Sequence, residues 1–287
     1  MYMFSIYFIC YLQIFFISLQ KIYKNWQSFG GFLIFIIKYN IMSNRKYKLN
    51  DNFFENIDCE KKAYALGLMY SDGNIHHDKY SWYITFGQQE ERKDLVYKLH
   101  SILGSESNIH TTLTGSKTFY YFSVVSKKMY NDLNNLGVTP NKSLSLQFPK
   151  TMEKKLMPHF IRGLFDGDGC IWNGKRKKMT VKKEGTINET REKIIHNVKF
   201  TYTGNDIFVT SFQNFLINET GLKKTKLNFS KAKNKNNNTS EHICTMEYSG
   251  RGNIKKLYDY MYNEATVFSE EKKHKFDMIC NFNNKHL

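Results

Sequence analysis

Apolar positions between Lys61 and Ile279 fall into short helical and strand periods, and the series runs twice. Ala63–Ser71 predicts a helix that Asp72-Gly73 ends. Two strands follow, about Asn74–His77 and Ser81–Gln88. In the second, Trp82, Ile84 and Phe86 alternate with Ser81, Tyr83 and Thr85. Leu95, Leu99, Ile102 and Leu103 mark a helix up to Gly104, then strands near Asn108–Thr112 and Phe119–Val125 lead to a helix at Lys127–Leu136. The order then returns. Leu156–Phe165 predicts a helix ending at Asp168-Gly169, followed by a short strand and a polar, charged insertion at Asn173–Lys193. Val198, Phe200 and Tyr202 alternate with Lys199, Thr201 and Thr203, and Asp206–Thr220 is a helix closed by Gly221. Strands near Leu227–Phe229 and Ile243–Tyr248 flank an Asn- and Lys-rich loop, Lys231–Ser240; Gly252–Tyr262 and Glu270–Cys280 are the last helices. The pattern predicts an α+β fold of two pseudo-symmetric αββαββα repeats, divided as 42–150 and 151–287.

The first 41 residues stand apart from this series. Met1–Leu19 is a nearly charge-free apolar and aromatic run, and Phe32–Ile37 is a second, shorter one. The first approaches the ~20 residues that span a bilayer. It reads either as an upstream extension or leader, with Met42 opening an ordinary soluble sequence, or as a membrane segment.

Composition sharpens the choice of partner. The 287 residues carry 42 Lys and Arg against 26 Asp and Glu, a formal net charge of +16, with 41% hydrophobic and 16% aromatic residues. That content fills a core, and the surplus points to a polyanion, nucleic acid before membrane. The five cysteines show neither a CxxC pair nor zinc-type spacing, so the reading is a reduced, intracellular chain without a disulfide scaffold.

Each repeat opens on a related nonapeptide: Ala65-Leu66-Gly67-Leu68-Met69-Tyr70-Ser71-Asp72-Gly73 and Ile161-Arg162-Gly163-Leu164-Phe165-Asp166-Gly167-Asp168-Gly169. Together they resemble the two motif copies of a single-chain LAGLIDADG homing endonuclease. The resemblance covers about Lys61–Ile279, and Leu136-Gly137-Val138 to Phe148-Pro149 is similar to the linker between repeats. It implies that Gly67 and Gly163 let two motif helices approach backbone to backbone, with Leu68, Met69, Leu164 and Phe165 packing into each half. It further implies a saddle of two antiparallel sheets, which would leave Asp72 and Asp168 side by side at the helix ends, where divalent cations suit two carboxylates. Gly73 and Gly169 are expected to turn the chain in the left-handed conformation.

The implied activity is site-specific hydrolysis of double-stranded DNA with Mg²⁺, or Mn²⁺, by a monomer on a long target. The metal set is Asp72 and Asp168 with Ser71 and Gly167 beside them. Gln88 and Asn205 match the polar, water-ordering positions, though Asn205-Asp206 also reads as an N-cap pair. Lys142 and Lys272 fit the lysines that follow the last helix of each repeat, against the plain alternative of solvated surface charge. Ser81, Tyr83, Thr85, Lys199, Thr201, Thr203, Lys226 and Asn228, with Ser230, face outward as DNA-reading candidates. Gly174–Lys183 and Lys231–Lys235 read as loops for phosphate contacts or as flexible insertions. Tyr70 and Asp166 occupy the motif's earlier acidic position, which the family does not generally require. Rival readings are an RNA maturase binding its own intron and a non-cleaving DNA-binding regulator. Abundant Lys, Asn, Ile, Phe and Tyr with three prolines looks like AT-rich coding, and with the unusual N-terminus it favours a mitochondrial intron frame over a phage or bacterial one.

Overall fold

The computed structural model describes residues 46–184, 187–232 and 241–280. Met1–Leu19 and Phe32–Ile37 lie outside them; among the described residues no helix is long and apolar enough to cross a membrane. Residues Leu49–Leu287 cluster as one compact unit.

The first repeat runs α1 (Glu60–Ser71), β1 (Gly73–His77), β2 (Trp82–Gln89), α2 (Lys93–Ile102), β3 (His110–Thr114), β4 (Lys117–Val125) and α3 (Lys127–Asn135). The second runs α4 (Met157–Asp168), β5 (Cys170–Glu184), β6 (Ile187–Asn205), α5 (Asp206–Thr220), β7 (Asn228–Ala232), β8 (Glu241–Ser249) and α6 (Arg251–Tyr262), then adds α7 (Glu270–Cys280). Both sheets are antiparallel and four-stranded, in the matching orders β1-β2-β4-β3 and β5-β6-β8-β7. The α+β class and the repeated element order are those the apolar periods predict.

Local chemistry explains the boundaries. Ser126 caps α3 by accepting from Met129 N (3.2 Å), and Asn205 caps α5 by accepting from Phe208 N (2.8 Å). Gly221 ends α5 with φ +63°, where a Cβ would be strained. Pro158 sits in the first turn of α4, where its missing N–H removes nothing from the helix. Along β2, Ile84 and Phe86 are buried while Tyr83 and Thr85 lie on the opposite face; in β6, Val198, Phe200 and Tyr202 are buried.

One expectation fails in the second repeat. Asn173–Lys193 is no loop insertion: β5 and β6 pair continuously from Cys170↔Thr201 to Glu184↔Ile187. Gly174–Lys183 is therefore strand. The charge density hides the strand period, while the backbone register runs unbroken along the segment. Lys231 likewise belongs to β7, paired with His242, and residues 233–240 lie outside the described residues.

Helices α1 and α4 form the seam between repeats. Ala63–Tyr70 is buried without a break, and so is Phe160–Gly167. A Cβ on Gly67 would strike the Phe160 carbonyl and lie 2.6 Å from Leu164 N; one on Gly163 would strike the Tyr64 carbonyl and lie 3.2 Å from Leu68 N. The backbones touch where side chains are missing. Leu68, Met69, Leu164 and Phe165 join the core, with Phe165 stacked on Phe200 at 4.6 Å.

Buried polar groups lock the second half of this seam. Arg162, fully buried, donates to Glu60 Oε1 (2.5 Å), Val267 O (2.8 Å) and Met261 O (2.5 Å). The Asp166 carboxyl accepts from the Tyr64 and Tyr262 hydroxyls (2.8 and 3.0 Å) and from Ser269 N (2.6 Å). Tyr70, at the same motif position in α1, instead donates to Leu136 O (2.5 Å) and packs edge-on against Phe160. The motif's earlier acidic position is structural in one repeat and aromatic in the other.

Candidate active site

The seam delivers two carboxylates to one place. Asp72 caps the C-terminus of α1 and Asp168 is the last residue of α4. A Cβ on Gly167 would collide with Ser71 Oγ and lie 2.8 Å from Asp72 Oδ2, so the α4 backbone passes directly beside the Asp72 carboxyl. Gly73 and Gly169 are glycines for room, contrary to the handedness expected of them. Gly169 has φ −72° and Gly73 is not among the positive-φ glycines; a Cβ would strike Met69 at one and the Phe165 ring at the other.

Desolvation pushes both carboxyls up, and the Asp72 charge raises Asp168 further, to about 6. Asp168 keeps one side open to solvent, where water tempers the repulsion. The helix ends add partial negative charge to the pair. Three cations oppose it. Lys142, buried, donates to Ser71 O (3.1 Å) and to Gly73 O. Lys272, also buried, donates to Phe165 O (2.5 Å), Asp166 O (2.7 Å) and Gly169 O (2.7 Å). Neither lysine is a solvated surface charge. Burial lowers both ammonium groups, Lys272 to about 8, while the neighbouring aspartates pull them back up.

The third cation escapes a reading by motif. Arg92, in the 3-10 turn Glu90–Arg92 after β2, donates from Nη1 to Gly167 O at 2.5 Å across the seam. It is the strongest charge favouring the Asp72 carboxylate. Its sequence context, Glu90-Glu91-Arg92-Lys93, looks like mixed surface charge; only its distance of four residues from Gln88 hints that one turn would aim both inward. Ser71 and Gly167, named as ligands with the aspartates, thus present carbonyls that already accept from Lys142 and Arg92, each retaining a lone pair.

Gln88 is 2% exposed and lies near enough to Asp72 to favour its charged form. Yet neither Gln88 Nε2 nor Asp72 Oδ2 makes a hydrogen bond of proper geometry. Two buried polar atoms without partners, one acidic and one a donor, describe a place that receives something. Asn205 is spent on the fold: Oδ1 caps α5 and Nδ2 donates to Leu146 O (3.0 Å) and Ser143 O (3.4 Å). Nor is it the partner of Gln88. Counting from Ile75↔Ile84 in the first sheet and Ile171↔Phe200 in the second makes Gly204 the positional counterpart of Gln88, and Asn205 that of Gln89. A cavity of about 110 Å³ opens there, lined by Lys142, Ser143, Asp168, Tyr202, Gly204 and Asn205 among others.

The outward residues divide. Thr85 Oγ1 bonds Ser123 Oγ (3.0 Å) and Thr203 Oγ1 bonds Thr245 Oγ1 (2.8 Å), cross-strand pairs that leave each hydroxyl an acceptor. Ser81 is tied by its backbone to Asp78, and the Tyr83 hydroxyl reaches the same carboxylate at 3.3 Å. Thr201 is half-buried; Lys226, just before β7, and Asn228 are exposed. Lys199 is not free, because Glu247 holds it at 2.8 Å.

No family model matches the chain, and no curated protein matches it. Solved structures do. The I-LtrWI LAGLIDADG homing endonuclease bound to target DNA is similar at 11% identity over 83% of this chain and 92% of that one, with a TM-score of 0.49. The LAGLIDADG meganuclease I-AabMI bound to uncleaved DNA (12%, 77% and 89%, 0.45) and I-SmaMI bound to cleaved DNA (12%, 76% and 87%, 0.45) are also similar.

Proposed function

We propose that this chain is a LAGLIDADG-type endonuclease that hydrolyses phosphodiester bonds of double-stranded DNA at a specific site, using a divalent metal ion. The observation that carries the reading is the paired carboxylates at adjoining helix ends, with Asp72 Oδ2 buried and unpartnered amid three cationic side chains. The donor set is all oxygen, which suits Mg²⁺ or Mn²⁺, and the orphaned oxygen fits a ligand position. Asp72 and Asp168 would hold the ion. When bound it supplies Lewis-acid charge and an acidified water.

The remaining work falls to the chain. Lys142 and Lys272 grip the carbonyls around both aspartates and fix the backbone that carries them. Arg92 faces the centre with a planar guanidinium whose forked donors suit a crowded phosphate. Gln88 offers its free amide N–H groups beside Asp72, to a phosphate oxygen or to the attacking water. Tyr83, Thr85, Thr201, Thr203 and Asn228 present hydrogen-bonding groups for base edges, and exposed lysines such as Lys226 meet the backbone. The two matched sheets, joined at α1 and α4, would form the saddle such a target needs. An intron-borne gene in an AT-rich, mitochondrial setting accords with this activity.

The test is to incubate the full chain with a randomised library of duplexes in Mg²⁺, Mn²⁺ or EDTA and to sequence the broken ends. Recurrent double-strand breaks at one site, present with metal and lost in Asp168→Asn, support the reading. Binding without breakage in any metal overturns it in favour of a non-cleaving regulator.

A further inference from the structure

The two sheets present different chemistry at the same place on their outward faces. In the first, the Thr85–Ser123 hydroxyl pair marks the outward side, so strand alternation puts Tyr121 and Phe119 of β4 on it too. His110 of β3 stands opposite Tyr121. The rings make one surface: Phe119 and Tyr121 are stacked with centroids 6.5 Å apart, and His110 meets Tyr121 at 5.5 Å. Gly87 on β2 makes room for it. A Cβ there would lie 2.5 Å from Phe119 Cε1 and 2.8 Å from Tyr121 Cβ, so the Phe119 ring lies across bare backbone. Phe119 and Tyr121 are half-buried and His110 is exposed, which leaves ring surface open to a partner. Gly73, next to Asp72, pairs with Phe86, so this platform sits at the end of the sheet nearest the carboxylates. Counting along the matched strands gives the counterparts: Thr203, Thr245, Asn228 and Ile243 stand where the first sheet has Gly87, Tyr121, His110 and Phe119. Ile243 apart, these are hydroxyls and an amide; Thr203 and Thr245 bond each other at 2.8 Å, and Asn228 is exposed.

Of the four bases only thymine shows an apolar group, its C5 methyl, to the major groove. A ring face takes up that methyl by displacing water from both. It gives a guanine O6 or a cytosine amino group no partner, and burying such a group unpaired costs binding. Resting on the nuclease reading, we propose that the inner base pairs of the half-site under the first sheet are read through thymine C5 methyls held against Phe119 and Tyr121, while those under the second sheet are read by hydrogen bonds from Thr203, Thr245 and Asn228. Removing one methyl held in this way weakens binding about fourfold. The contact belongs to the methyl and not to the rest of the base, so a methyl on cytosine serves it as well as one on thymine.

The experiment uses the full chain in Ca²⁺ and a duplex recovered from the randomised library by binding. Deoxyuridine replaces thymine in the inner base pairs, one half-site at a time. In one half each contacted position should weaken binding about fourfold; in the other, binding should stay within twofold. Cytosine at a sensitive position should bind more weakly still, and 5-methylcytosine should recover about fourfold over cytosine. With 5-iodouracil at the sensitive positions, whose iodine stands where the methyl was, irradiation should crosslink the DNA to the tryptic peptide Thr118–Lys127, which holds both rings. Phe119→Ser with Tyr121→Ser should make the thymine and deoxyuridine duplexes bind alike, whereas Asn228→Ala should leave their difference intact. If the serine variant does not fold, the wild-type series and the crosslink decide. Equal losses in both halves, no loss in either, or a crosslink to the second sheet overturns the proposal. A chain that binds its duplex but cuts it in neither Mg²⁺ nor Mn²⁺ overturns the nuclease reading alone, because the deoxyuridine series is read on binding. A chain that binds no duplex overturns both.

Discussion

Lys142 and Lys272 hold matched posts: each sends its ammonium group into the carbonyls that end one motif helix, Lys142 at Ser71 and Gly73, Lys272 at Phe165, Asp166 and Gly169. A lysine at a helix C-terminus meets both the dipole and carbonyls with no helical partner. Here the contact is buried, so it serves the fold as well as any chemistry. Lys272→Met should leave buried carbonyls unpaired at roughly 1–3 kcal/mol each. The urea midpoint should fall clearly at neutral pH, and less for Lys142→Met, which releases fewer carbonyls. An unchanged midpoint for Lys272→Met would show that these carbonyls find water instead.

The glycine seam makes a stricter demand. Any side chain at Gly67 or Gly163 meets backbone atoms of the other helix, which cannot rotate aside. Overpacking usually costs ~1–3 kcal/mol; forcing two main chains apart costs more. Gly67→Ala should already lower Tm by several degrees, and Gly163→Leu should abolish soluble expression. A Gly67→Ala protein that melts with the wild type would mean the helices part in solution.

The aspartates should separate catalysis from stability. Asp168 is raised to about 6 from an ordinary 3.8, so between these values the folded chain holds a proton that the unfolded chain has released. Stability from this group is complete below pH ~3.8 and is lost as pH rises through about 6. Asp168→Asn, uncharged throughout, should therefore melt higher than wild type at pH 7.5 without metal, while abolishing cleavage and leaving DNA binding within a few-fold. Mn²⁺ should raise the wild-type Tm at pH 7.5 and much less at pH 5, where Asp168 is protonated, and should not raise that of the variant. A metal-induced shift of equal size in Asp168→Asn would remove Asp168 from the metal set. Lys272 works at the other end of the scale. Its folded value of about 8 lies below the ordinary 10.5, so stability rises with pH between them.

How much of this was visible in the chain follows from what each signal depends on. Helix and strand periods are local, so the repeat and the sheet faces at Ile84 and Phe200 are legible from spacing, whereas the pairing of Asp72 with Asp168 follows from the motif resemblance. The glycines of the seam are legible in the motif, but the reason for Gly73 and Gly169 is not, because a clash with Met69 or Phe165 is a three-dimensional fact. The β5–β6 hairpin was hidden because its strands are charged rather than apolar. Arg92 lay beyond reach because its partner, Gly167 O, comes from the other repeat. The motif resemblance points to Asn205 as the counterpart of Gln88, whereas counting along the strands from the sheet register points to Gly204. The motif marks Asp166 as dispensable for catalysis, yet its three hydrogen bonds make it a structural hub, and Asp166→Leu should cost ~3 kcal/mol or more.

The surplus of positive charge makes a last, graded prediction. If the exposed lysines neutralise about 6–10 phosphates, log K for DNA should fall against log salt with a slope of roughly −5 to −9. Individual lysines should not count equally. Lys226 is exposed and has no ion-pair partner among the described residues, so Lys226→Ala should reduce that slope by about one. Lys199 is already held by Glu247 at 2.8 Å, and DNA must displace that carboxylate before gaining the lysine. Lys199→Ala should therefore change the slope by much less, and Glu247→Gln should tighten binding and steepen the slope by freeing Lys199. Binding measured in Ca²⁺ across a salt series, on one duplex, separates the three variants. Equal slope changes for Lys199→Ala and Lys226→Ala would show that the Lys199–Glu247 pair opens at no cost when DNA arrives.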